Sequence, residues 1–158
     1  MKKLLLLRHA KSSWQYHVED YDRPLSEKGI KDINKVSLKN INIFKRFEII
    51  LTSPANRALH TSIIFSRNVF VKYERLRVVD ELYSFNYKNI IDYVYKLDNA
   101  LSNIVLVGHN PAFSNAAEYF SEKCPPELKT SDWIMIEFKQ NNWSKVSNGI
   151  YTYESKKN

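Results

Sequence analysis

The stretch Leu4-Leu5-Leu6-Leu7-Arg8-His9 decides how the chain is read. A short apolar run halted by a cation and an imidazole reads as a buried strand ending at a working surface. In open α/β sheets, ligands bind in the crevice outside the carboxyl ends of the strands. Arg8 and His9 therefore stand where chemistry would be done. The question for the rest of the chain is whether it brings further anion-binding groups to the same edge.

Working outward, residues 3–8 are the first strand, and Lys11 to Arg23, polar and aromatic without a helical period, is a loop. Ser26 caps a helix whose Ile30, Ile33 and Val36 recur on one face. Phe47 to Leu51 is a second strand leading into Ser53-Pro54, a hydroxyl cap followed by proline at the first helical position, with the helix running to about Ser66. Arg77-Val78-Val79 is a short third strand and Asn89 to Leu101 a helix. Asn103 to Val107 is a fully apolar fourth strand closed by Gly108-His109, after which Asn110-Pro111 repeats the cap-and-proline start of a helix reaching about Lys123. Trp133 to Phe138 and Trp143 to Tyr153, joined by a turn at Asn141-Asn142, complete the set. Strands alternating with helices imply βαβ units. The fold expected is a three-layer α/β/α sandwich, its sheet mostly parallel with an antiparallel edge pair, in a single domain over residues 1–158.

That length suffices for a core without staples. Cys124 is the only cysteine, so neither an intrachain disulfide nor a cysteine-based zinc site is expected. Met1-Lys2-Lys3 followed by leucines imitates a signal peptide, but Arg8, His9 and Lys11 interrupt the run too early. No later segment approaches a membrane span, and the expectation is a cytoplasmic protein. The net charge of +7, from 24 Lys and Arg against 17 Asp and Glu, fits an acidic substrate, a nucleic-acid partner or a basic solvated surface. The lysines are scattered, without a dense run or a nucleic-acid signature, so no nucleic-acid partner is expected.

Three strands thus end in reactive groups: Arg8-His9, Ser53-Pro54 leading to Arg57, and Gly108-His109. Two of these junctions are also expected helix starts, whose free N–H groups favour anions. Arginine suits phosphate because its planar fork binds two oxygens and stays charged. Each residue has an ordinary alternative: a solvated arginine, a hydrogen-bonded structural histidine, a helix residue paired with a carboxylate. Their coincidence at one edge points instead to a phosphate pocket.

Four segments also resemble, in order, the histidine phosphatase superfamily, which includes the cofactor-dependent phosphoglycerate mutases. Leu7-Arg8-His9-Ala10 resembles its Arg-His-Gly signature, and Asp22-Arg23-Pro24-Leu25-Ser26-Glu27-Lys28-Gly29 its Pro-Leu-Ser/Thr-x-x-Gly segment. Thr52-Ser53-Pro54-Ala55-Asn56-Arg57-Ala58-Leu59-His60-Thr61 is similar to Ser-Pro-x-x-Arg-Ala-x-x-Thr, and Val107-Gly108-His109-Asn110-Pro111 to the second histidine motif. The short chain with its Arg-His-Ala-Lys-Ser opening resembles the SixA-type phosphohistidine phosphatase branch, without a large cap insertion. Ala10 stands where glycine is usual, and Gln15 follows Trp14 where asparagine is common.

The resemblance implies a phosphatase in which His9 is the nucleophile and becomes transiently phosphorylated. Arg8, Arg57 and His109 would hold the phosphoryl oxygens, with Ser12 adding a hydrogen bond. Glu81, after the third strand, is the candidate proton donor, with Asp80 its rival and, for a phosphoramidate leaving group, no acid at all as the third alternative. His17 and His60 are read as surface or packing residues. No metal and no cofactor are implied. The expected partner is a phosphorylated protein or a small phosphorylated substrate. The competing readings are a catalytically idle domain that binds a phosphorylated partner, and a mutase-type phosphotransferase.

Overall fold

Each leucine of the opening run is fully buried, and successive side chains enter different cores, as the two-residue period of a strand requires. The structure, a computed structural model, describes residues 1–157. In it β1 (Lys2–Arg8) lies inside a six-stranded sheet, with β2 (Ile49–Thr52), β3 (Leu76–Val78), β4 (Asn103–Gly108), β5 (Trp133–Phe138) and β6 (Ile150–Glu154). The strand order is β3-β2-β4-β1-β5-β6. The first four of these neighbours are parallel; β5 runs antiparallel to β1, and β6 antiparallel to β5. The expected mixed sheet is what forms.

Leu5 and Leu7 point to the layer containing α1 (Glu27–Lys39), α2 (Ile41–Phe44) and α3 (Asn56–Asn68), packing with Ile33, Val36, Phe44 and Phe65. Leu4 and Leu6 point to the other layer, formed by α4 (Tyr87–Tyr95) and α5 (Ala112–Phe120), where they meet Ile90, Val94, Phe113 and Phe120. Helices on both faces explain why β1 and β4 are apolar throughout instead of alternating. β1 pairs with β4 from Lys3–Asn103 to Arg8–Gly108, so this register sets Arg8-His9 beside Gly108-His109.

Ser26 caps α1 as the sequence indicates, its Oγ accepting from the Gly29 amide at 3.0 Å. The other helix starts differ from expectation. α3 begins at Asn56 with Ala55 at its cap position, and the Ser53 hydroxyl is shared between His109 at 2.8 Å and the Ala55 amide at 3.3 Å. α5 begins at Ala112 after a cis Asn110–Pro111 bond, and Asn110 Oδ1 accepts from the backbone and the hydroxyl of Ser114. That helix ends at Phe120, short of Lys123. α4 starts two residues earlier than read, capped by Asn86, and stops at Tyr95, so Leu97 and Leu101 pack from the following turns. Trp143 belongs to a 3-10 turn, and β6 starts only at Ile150.

Gly29 shows why α1 lies so near the site. A Cβ there would sit 2.1 Å from the Lys11 carbonyl oxygen and 2.9 Å from the Lys11 amide nitrogen, both backbone atoms. Ser26 N also donates to that carbonyl at 2.9 Å, tying the helix to the segment just after His9. Gly29→Ala must push the two backbones apart. It is expected to destabilise the fold by about 1–3 kcal/mol, the usual cost of overpacking. Urea unfolding of the variant measures this, and an unchanged midpoint would show that the contact yields freely.

Candidate active site

The parallel pairing of β1 with β4 and of β4 with β2 brings three strand ends together, and with them His9, His109 and Ser53. The His9 and His109 ring centroids are 5.1 Å apart. Both side chains are buried, as is Arg57, the second residue of α3. His9 Nδ1 lies 2.7 Å from the carbonyl of Ala10. A carbonyl only accepts, so Nδ1 carries the proton and Nε2 keeps its lone pair. That nitrogen accepts from Arg57 Nε at 3.3 Å. The loop below is fixed by Thr61, whose hydroxyl accepts from the Ala10 amide at 2.9 Å and donates to the Arg57 carbonyl at 2.6 Å.

His109 Nε2 is 2.8 Å from Ser53 Oγ, while its Nδ1 is buried without a partner. Tyr83 lies edge-on to the His109 ring at 5.4 Å and Phe85 is tilted at 5.5 Å, giving the pair an aromatic wall. Arg8 donates through Nη1 to the Leu128 carbonyl at 2.9 Å, and its Nε is buried and unpartnered. Two unsatisfied nitrogens beside a buried cation are unusual in a core, where polar groups are normally paired.

Asp20, which opens a 3-10 turn after β1 and is itself exposed, is the carboxylate bonded to this site. Its backbone oxygen accepts from Arg57 Nη1 at 2.6 Å and its Oδ2 from Arg57 Nη2 at 2.9 Å. Oδ2 also accepts from the Tyr83 hydroxyl at 2.7 Å, and Oδ1 from Arg23 Nη2 at 3.0 Å. Burial alone would raise the Asp20 pKa, but hydrogen bonds from Tyr83, Arg23 and Arg57, with the Arg57 charge, hold it well below the ordinary range. Asp20 is thus a carboxylate at neutral pH. Ser12 is buried and hydrogen-bonded to Arg23 Nη1, which joins it to the pocket through Arg23; the same guanidinium stacks on Trp14 at 3.7 Å.

Among the described residues, Glu81 makes no hydrogen bond to the site. It is exposed on a 3-10 turn and lines an adjoining cleft with Asn89, Asp92, Tyr93 and Lys96, a cleft that shares Tyr83 with the site. Asp80, on the same turn, is exposed as well. The chain turns into a 3-10 helix directly after β3, and this carries both carboxylates outward while Leu82 is buried. Asp20, Arg23, Ser53, Tyr83 and Thr61 were not picked out as site residues from the sequence. Ser53 and Thr61 lie inside a quoted motif, whereas Asp20 sits in a loop with no periodic signal. Among the described residues, no group of three or more His, Cys, Asp or Glu is placed to hold a metal ion, and no helix is long and apolar enough to cross a membrane.

Residues 4–89 match the family model of the histidine phosphatase superfamily, branch 1. The chain belongs to this superfamily. An uncharacterised chloroplastic protein of Arabidopsis thaliana is 29% identical over 156 residues, covering 92% of this chain and 70% of that protein. The structure of the protein histidine phosphatase SixA complexed with tungstate superposes with a TM-score of 0.82 at 19% identity, covering 98% of this chain and 97% of that one. A phosphoserine phosphatase from Entamoeba histolytica, in complex with 3-phosphoglyceric acid, gives a TM-score of 0.66 at 17% identity, with 98% of each chain covered. These similarities establish a phosphoglycerate mutase-like fold for this histidine phosphatase superfamily member.

Both histidines are neutral in the fold. Burial is the main cause for His9, reinforced by the charges of Arg57 and Arg8 against the opposing Ala10 hydrogen bond, and holds it well below the ordinary histidine value. Burial, followed by the Arg57 charge, pushes His109 down to about 3. Between that value and about 6.5, the unfolded chain binds protons on these rings that the folded chain does not. Stability therefore falls as the pH drops through this window, by up to about 1.4 kcal/mol per pH unit for each ring. Urea midpoints at pH 7 and pH 5 check this. A His109→Gln variant is expected to show the shallower slope, and equal slopes would contradict a buried neutral His109.

Proposed function

We propose that this histidine phosphatase superfamily member is a phosphatase working through a phosphohistidine intermediate on His9. Its substrates on this reading are phosphohistidine proteins or small phosphoesters. The observation that carries it is the orientation of His9. Nδ1 is held by the Ala10 carbonyl, and the Nε2 lone pair faces the guanidinium of Arg57. In the first step Nε2 forms a bond to phosphorus while the bond from phosphorus to the leaving oxygen or nitrogen breaks, that atom keeping the electron pair. In the second, water attacks phosphorus, the Nε2–P bond breaks, and His9 recovers its lone pair as phosphate departs. Dividing the transfer in this way replaces one difficult step with two easier ones.

Arg57 and neutral His109 stand beside the reacting nitrogen and the charge of Arg8 acts on the same ring, and donors from these groups would meet the charge spread over the phosphoryl oxygens. Arg57 is buried with its Nη atoms on Asp20, the unpartnered Nε of Arg8 is a donor that an anion would satisfy, and His109 Nδ1 is another when its Nε2 accepts from the Ser53 hydroxyl. Asp20 is ionised, so it orders Arg57, Arg23 and Tyr83 and does not donate a proton. An imidazole leaving group takes its proton from solvent at its other ring nitrogen, so a phosphohistidine substrate needs no acid from the chain. The crossovers between the parallel strands are one or two α-helices with short 3-10 turns, and we read residues 1–158 as one domain without a cap. An uncapped site admits a side chain projecting from another protein.

The test compares phosphate release from an N-phosphohistidine peptide, a phosphoserine peptide and 3-phosphoglycerate. Release is expected to be fastest from the first. Phosphoryl transfer between positions of phosphoglycerate outpacing phosphate release would favour a mutase. No release from any substrate, with phosphate still bound, would favour an idle binding domain.

A further inference from the structure

The positive charge that the sequence scatters is gathered by the fold beside the site. A groove of about 550 Å³ runs between α1, the segment before β5 and the segment after β6. Lys28 and Lys35 line it from α1, Lys129 and Thr130 from the β5 approach, Lys156 and Lys157 from the chain after β6, and Lys11 from the loop after His9. Arg8 lines it too, so groove and phosphate pocket share one guanidinium, whose Nε is buried and unpartnered.

The single carboxylate lining the groove is already neutralised. Asp32 lies 3.1 Å from Lys28 Nζ and 3.2 Å from Lys156 Nζ. Lys11, Lys35, Lys129 and Lys157 are exposed and enter no ion pair among the described residues. Like charges collected around a concavity repel one another, and an acidic occupant relieves that repulsion. No lining residue is aromatic, so the groove lacks the stacking platform by which single-stranded nucleic acid is usually held.

We propose that this groove seats an acidic segment of the phosphoprotein whose phosphoryl group is removed. Glutamates or aspartates flanking the phosphorylated residue lie against Lys11, Lys35 and Lys129, while the phosphoryl group passes Arg8 to reach His9. This identifies the partner's chemistry and rests on the phosphatase reading above. Exposed charges act at a distance and are screened by salt, so the groove contributes mainly to capture.

Two measurements test it. The first is hydrolysis of peptides carrying one N-phosphohistidine flanked by glutamates, serines or lysines. For wild type, kcat/KM is expected to be at least tenfold higher with glutamate than with serine flanks at low salt, the ratio shrinking as salt is raised. In a Lys35→Glu, Lys129→Glu double variant the ratio is expected to fall to one or below. A wild-type ratio within twofold, or a preference that survives the double reversal, would overturn the proposal. The second is fluorescence anisotropy of a labelled glutamate-rich peptide without phosphate, expected to bind wild type and not the double variant. Binding intact with no hydrolysis of any peptide would leave the groove assignment standing and sink the phosphatase reading. No binding of the acidic peptide, with an oligouridine bound instead and lost in the double variant, would make the groove a nucleic-acid surface and refute the proposal.

Discussion

His9→Ala is expected to lower phosphate release from an aryl phosphate or an N-phosphohistidine peptide by on the order of 10⁴-fold or more, the scale of losing a covalent nucleophile. His9 Nε2 is the sole atom of the chain that bonds to phosphorus in the proposed path, so nothing else in the pocket replaces it. His109, the other ring, is spoken for at its Nε2 by Ser53 at 2.8 Å. Burial keeps His9 neutral, so wild type should keep its attacking lone pair well below the pH at which an exposed histidine would be protonated. Brief incubation of wild type with substrate, followed by denaturing quench, should trap acid-labile phosphate on the chain, and none on the variant. A variant retaining more than about one hundredth of wild-type turnover would remove His9 from the covalent path, since a loss that small is typical of a single hydrogen bond in a transition state.

The second large effect is expected at Arg57. Its guanidinium makes three directed contacts, from Nε to His9, from Nη1 to the Asp20 carbonyl and from Nη2 to the Asp20 carboxylate. Arg57→Ala is expected to cost on the order of 10²–10³-fold in kcat, the magnitude seen when one preorganised donor to developing charge is lost. Arg57→Lys separates charge from geometry. An ammonium is a compact point charge without the planar fork, and it cannot reach His9 and both Asp20 oxygens at once. The lysine variant is expected to recover less than a tenth of wild-type kcat, with KM changed less than kcat. Full recovery would show that a positive charge alone suffices there. Because Arg57 is buried, circular dichroism and urea unfolding of both variants are needed to separate chemistry from folding.

The four resemblance segments mark the parts of the site that are local in sequence. Arg8-His9 follows the apolar run, and Gly108-His109 ends a second one, so strand burial and strand end could both be read from composition. The helix starts were less legible for a definite reason. Ser53 and Asn110 look like caps, but a hydroxyl or amide that could bond its own helix can also bond across the fold. Ser53 is shared between His109 and the Ala55 amide, and Asn110 between Leu128 and Ser114, whereas Ser26 donates across the fold to the Lys11 carbonyl and still accepts from Gly29 as the cap of α1. Glu81 and Asp20 make the same point for carboxylates. Glu81 follows a strand, but its 3-10 turn leaves it exposed and unbonded to the site; Asp20, with no periodic signal around it, also opens a 3-10 turn and stays exposed, yet is tied to the site by Arg57, Arg23 and Tyr83.

By itself the sequence determined the layered α/β architecture and the two histidines and two arginines at the strand ends. Hydrophobic periodicity and short motifs are properties of neighbouring residues, and survive without knowledge of the fold. Only the tertiary structure decided which ring nitrogen of His9 is free, which carboxylate is bonded to the site, and that Lys11, Lys35 and Lys129 share one groove. Those facts depend on the register of β1 against β4 and on how one loop closes over a helix start. Contacts of that kind join residues far apart in the chain, where no local pattern records them.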